Sequence, residues 1–131
     1  MLAQTPLVDL AKPAEDLGIT DVERAALCRV HEMLDGGRLP ATNPIMPVGN
    51  SFDMRVWQRK ESCGTVACIA GWANLIDRRA FPGVGTAQWL FGLDPRPSRL
   101  FCPDLRFDPI TPAMAVRALR TFLIDGEADW S

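Results

Sequence analysis

Histidine is nearly missing from this chain: among 131 residues only His31 carries an imidazole. That scarcity leaves one candidate general base of the usual kind and no set of imidazole metal ligands. The four cysteines include no C-x-x-C pair, so the strong zinc spacings are missing as well. No glycine-rich phosphate loop is present; Gly83-Val84-Gly85 lacks the preceding strand and the third glycine that a dinucleotide site requires. There is no Ser/His/Asp set and no interleaving of basic with aromatic residues for nucleic acid. Low-complexity segments and internal repeats are absent. No apolar run approaches the roughly 20 residues of a membrane-spanning helix. The opening MLAQTPLVDLAKP has neither the basic start nor the apolar core of a secretion signal. The expected compartment is therefore the cytoplasm, where cysteines stay reduced. An excess of one charge is missing too: 14 Lys and Arg face 16 Asp and Glu, a net charge of −2. That balance gives no general attraction to nucleic acid or an anionic membrane.

What is present is ordinary globular material, 47% hydrophobic and 23% charged. A chain this long buries about two-thirds of its unfolded surface, so it can fold without a metal or a disulfide. One domain is expected over 20–131, preceded by an irregular, Pro- and Gly-punctuated arm over 1–19 with a short helical turn near Val8 to Ala11.

The most uniformly apolar window, Val66 to Ile76, reads VACIAGWANLI, with Asn74 its one polar residue. A helix apolar on every side is a buried helix, and the window is long for a strand. We read 66–76 as a central buried helix with Thr65 as its N-cap and Arg78 and Arg79 beyond its C-terminus. Ala67, Ala70, Gly71 and Asn74 share one side, a small-residue stripe against which another helix can approach closely.

Two further helices carry stronger local signals. Thr20-Asp21-Val22-Glu23 is a capping box, followed by Val22, Ala26, Val30, Met33 and Leu34 at helical spacing, and Gly36-Gly37 closes the stretch. This predicts a helix over 21–35. Thr111-Pro112 opens the last helix, Met114, Ala115, Ala118, Leu119, Phe122 and Leu123 face inward, and Gly126 ends it, so a helix is predicted over 112–125. Arg117 and Arg120 lie off the stripe, and Trp130 is expected to fold back as a plug. A short helix is expected near 87–91 and a helical turn through Leu100 and Phe101. Residues 38–51 read as extended loop and 58–62 as an exposed polar segment. Residues 52–57 fit either a half-buried strand or a helical turn. The fold class is thus mostly α: a small irregular helical bundle around the central helix, with long Pro/Gly-rich loops.

The run Phe52-Asp53-Met54, then Trp57, then Cys63-Gly64-Thr65-Val66-Ala67-Cys68-Ile69-Ala70-Gly71-Trp72-Ala73 resembles a motif of small uncharacterised bacterial and phage proteins. The resemblance spans about residues 20–125 and includes a later Leu-Phe, here Leu100-Phe101. It implies no activity, and no functional residue is carried over from it.

Three constellations bear chemistry. Cys63, just ahead of the expected central helix and near Arg59 and Lys60, would have its thiolate favoured by the dipole, and His31 would be its base. A cysteine-dependent hydrolase or transferase would use that pair as its catalytic residues. Cys28 and His31 lie one helical turn apart and, with Cys63 and Cys68 adding thiolates, would give a Cys₃His set for zinc. Against that set, Cys63 and Cys68 are about 140° apart if both are helical. A redox disulfide between Cys63 and Cys68 or Cys102 needs Cα atoms within about 7 Å. The four tryptophans, Trp57, Trp72, Trp89 and Trp130, fit core packing before an aromatic ligand box. Each reading has a plainer counterpart, in which the cysteines are small packing residues and His31 lies on a helix surface. The expectation is a non-enzymatic helical domain that binds another protein, with no cofactor and no resident metal.

Overall fold

The computed structural model describes residues 6–41, 49–54, 57–61, 64–82, 100–101 and 110–130. In chain order these form α1 (Leu7–Leu10), α2 (Ala14–Leu17), α3 (Asp21–Asp35), β1 (Ser51–Phe52), β2 (Gln58–Glu61), β3 (Gly64–Ala67), α4 (Ile69–Ile76) and α5 (Pro112–Asp125). The fold is mostly helical, but it is not a bundle of helices alone. β3 lies at the centre of a three-stranded sheet, parallel to β1 and antiparallel to β2, with Ser51 opposite Val66 and Arg59 also opposite Val66.

Both long helices begin and end where their local chemistry dictates. The Glu23 N–H donates to Thr20 Oγ1 at 3.1 Å and the Thr20 N–H donates to Glu23 Oε1 at 3.0 Å, the reciprocal capping box. Gly37 supplies the left-handed conformation, φ 73°, just beyond α3. Thr111 caps α5 through the Met114 N–H, Pro112 occupies its first turn, and Gly126 ends it at φ 87°. The buried side of α3 carries Ala26, Leu27, Cys28, Val30, His31 and Leu34, that of α5 Ala115, Ala118, Leu119, Phe122 and Leu123. α3 packs against both α5 and α4.

The arm does not hang free. Arg24 donates from Nε to the Lys12 carbonyl at 2.8 Å and from Nη2 to the carbonyls of Val8 at 2.6 Å and Ala11 at 2.9 Å. The Lys12 N–H reaches Leu123 O on α5, and Leu17 is fully buried. At the other end, Thr121 Oγ1 accepts the Asp129 N–H at 2.8 Å, Arg117 pairs with Asp129, and Trp130 folds back half-buried against the core.

The expected central helix over 66–76 requires correction. Val66 and Ala67 finish a strand, and the helix starts only at Ile69. Thr65 is not a cap; its N–H donates to Asn50 Oδ1 within the sheet region. The cause is physical: a run that is apolar without a period suits a strand buried on both faces as well as a buried helix, and this one holds a piece of each. Ile69 to Asn74 are buried, but Ile76 is 39% exposed. Residues 58–61, within the segment expected to be polar and exposed, form the antiparallel partner of β3, with Arg59 and Lys60 exposed as expected. The segment 52–57, which fits strand or turn by sequence, begins as strand at Phe52, turns at Met54 and bends at Trp57. Leu100 and Phe101 are helical as expected, whereas the helix near 87–91 lies outside the described residues.

Candidate functional site

The turn from β3 into α4 gathers most of the chain's unusual residues. Cys68 takes extended geometry, φ −80° and ψ −177°, and its Sγ accepts the Gly71 N–H at 3.4 Å, so a thiol is the N-cap of α4. A Cβ on Gly71 would collide with the carbonyl oxygen of Trp57. What the small-residue stripe admits there is the backbone leading into β2, in place of the helix expected. Gln58 then bridges the two elements, donating from Nε2 to Gly71 O at 3.0 Å and to Asn74 Oδ1 at 2.9 Å. Buried Asn74 spends its own donors on Ala80 O at 2.9 Å and Arg78 O at 3.3 Å. Trp72 donates from Nε1 to Ser51 O at 3.0 Å, fastening α4 to β1. Gly64 stands at φ 152° with its Cα against the backbone of Gly49 and Asn50, where no side chain fits. Trp57, Gly71 and Trp72 of the motif therefore hold sheet to helix, while Cys68 caps the helix and Gly64 lets the chain before β1 approach β3 closely.

Cys68 has the position of an activated thiol but not its electrostatics. The Gly71 and Ala70 amides favour the thiolate; burial opposes it more strongly and pushes the thiol above its ordinary value, and the Asp53 carboxylate adds to the rise. The ordering of magnitudes is reasonable: a helix terminus supplies about 0.3–1 kcal/mol, less than one pKa unit, while burial can shift a group by several. Cys28, buried on α3, is also raised by desolvation.

Cys63 lies outside the described residues, between the paired Glu61 and Gly64. The residues after it form a strand, so the helix dipole invoked for its thiol acts at Cys68 instead. Cys102 and Trp89 also lie outside the described residues. His31 is not on a helix surface: it is 6% exposed, and its Nε2 has no hydrogen-bond partner among the described residues. Cys28 and His31 share the buried face of α3, yet among the described residues no three His, Cys, Asp or Glu side chains gather as a metal would need. Trp72 is core, and Trp57 and Trp130 are half-buried against it.

One surface feature escaped sequence reasoning. A groove of about 350 Å³ runs between the first turn of α3 and the end of α4, with Val22, Ala25 and Ile76 as its apolar lining and Asp21, Asp77 and Arg79 among its polar residues. Arg79 grips Asp77 through two hydrogen bonds, 2.8 and 3.1 Å, and with its own N–H holds that carboxyl at about 2. The signal for Asn74 was visible, a lone amide in an apolar run; for the groove there was none, since its two walls are remote in sequence. No family model matches the chain, and neither a curated protein nor a solved structure matches it.

Proposed function

We propose that the chain is a cytoplasmic, non-enzymatic accessory domain that works by binding another protein, with the groove between α3 and α4 as its contact. The observation that carries this reading is the contrast between interior and surface. Cys28, His31 and Cys68 are committed to packing and capping, while Ile76 leaves apolar area open in the groove. A volume of about 350 Å³ is at the lower end for a ligand pocket and takes one or two apolar side chains of a partner. The resemblance of the Cys63–Ala73 motif to small bacterial and phage proteins belongs to the same proposal; its residues serve architecture, which is what a binding scaffold requires.

The test is a photo-crosslinking residue at position 25, with and without Ile76→Asp. One adduct of defined mass, lost in the I76D variant while its circular dichroism is unchanged, supports the reading. An adduct that I76D leaves intact overturns the assignment to the groove. Iodoacetamide labelling against pH addresses the competing use of Cys63 and His31 as a catalytic pair. Slow labelling of every thiol until unfolding supports the binding domain, and one fast thiol titrating well below 8.5 overturns it.

A further inference from the structure

We propose that His31 makes the packing of α3 against α5 acid-sensitive, so that protonation of this one imidazole loosens the pair of helices. His31 is 94% withdrawn from solvent by its 6% exposure, and its Nε2 has neither accessible surface nor a partner among the described residues. As an acceptor lone pair, that nitrogen is tolerable; as an N–H donor of a cation, it is a buried charge with no acceptor among the described residues. The groups acting on it come from both helices. Asp35 and Glu32 on α3 favour the imidazolium, and Arg120 on α5 opposes it. All three are exposed, so water and salt screen their fields, and Glu32 is already engaged with Arg29 at 2.9 Å. Burial is not screened, and its net effect with Arg120 is to hold the imidazole below its ordinary value of 6.5.

Where the unfolded chain takes up a proton and the folded one refuses it, stability falls as pH drops from about 7 through the unfolded value toward the lowered folded one. The loss ends below the folded value. One proton changes the folding constant by at most about tenfold per pH unit in that window. The Asp77 carboxyl, at about 2, titrates below it.

Because the chain has one histidine, its Cε1–H resonance is unambiguous in proton NMR. The folded protein should titrate with a midpoint below 6.5, and the urea-unfolded chain near 6.5. The urea midpoint of wild type should fall between about pH 7 and 5, while His31→Leu should show a flat profile there. A folded midpoint at or above the unfolded one overturns the proposal, as does an H31L profile with the wild-type slope. Should H31L fail to fold, the wild-type resonance decides alone.

Discussion

The two long helices and the β3–α4 segment are both built from apolar residues, yet they are bounded by different kinds of information. α3 starts at a Thr whose partner is three residues on, and α5 at a Thr-Pro pair with its closing glycine in the same stretch. Between β3 and α4 the local device is a thiol, Cys68, a weak acceptor 3.4 Å from the Gly71 N–H. The rest of that border is drawn by Asn50, Ser51, Trp57 and Gln58, which bond to or crowd against Thr65, Trp72, Gly71 and Asn74 from 13 to 21 residues away. A helix end that satisfies its own amides can be read from sequence. A strand–helix border that depends on a distant backbone cannot.

Gly71→Ala is the sharpest way to break this contrast, and it carries the largest expected effect. Local propensity says the change should stabilise α4 by about 1 kcal/mol, since alanine is the better helix former. The tertiary structure says the opposite, because the new methyl would meet the Trp57 carbonyl oxygen, a backbone atom with no rotamer to yield. Overpacking of that kind costs about 1–3 kcal/mol and occasionally more, and the backbone obstacle places this case at the upper end. Urea denaturation should show a net loss of about 3 kcal/mol. A gain in stability would mean that local preference governs α4 after all.

Trp72→Phe comes next. It keeps an aromatic ring in the core but removes the Nε1 donor, leaving the Ser51 carbonyl in a buried position without the indole. Losing that bond costs about 0.5–1.5 kcal/mol and the smaller ring leaves a gap in the core, so a loss of about 2 kcal/mol is expected in the same measurement. An unchanged midpoint would show that the bond between α4 and β1 is dispensable.

These two residues also mark how far the sequence could be read. The bounds of α3 and α5, the inward face of α5, the return of Trp130 and the burial of most of 66–76 were all legible, because caps and helical spacing are short-range. The sheet was not. β1 is two residues long and β2 is polar, so neither shows the alternation that identifies a strand, and both exist because β3 offers them a partner. The inward face of α3 is rotated from its expected position for a related reason. Helical spacing alone puts Val22, Ala26, Val30, Met33 and Leu34 inside it and leaves His31 on its surface. In the fold α3 is enclosed by α4 on one side and α5 on another, which carries Cys28 and His31 inward and leaves Val22 and Met33 half-buried. The candidate site suffered most. With β3 in the place of a helix start, Cys63 loses the dipole argument, and the thiol that does cap a helix is one that burial keeps protonated.

The smallest expected effect tests whether the legible half is truly local. Thr20→Ala removes one cap bond of α3 and should cost about 1 kcal/mol, the ordinary value for such a residue. Its partner Glu23 does more. While Oε1 accepts the Thr20 N–H, Oε2 accepts the Phe81 N–H at 2.9 Å, across 58 residues of sequence. Phe81 is buried and stands at φ 47°, an unusual conformation for a bulky residue, with its ring edge-on to Phe101 at 4.7 Å. Glutamine offers a single acceptor oxygen, so Glu23→Gln must surrender either the cap or the Phe81 bond. If the cap is only a local device, thermal denaturation should place Glu23→Gln level with Thr20→Ala. The carboxylate's second bond argues that E23Q will instead melt lower than T20A. The first helix signal in the chain would then be bound to the turn after α4 as well as to its own first residues.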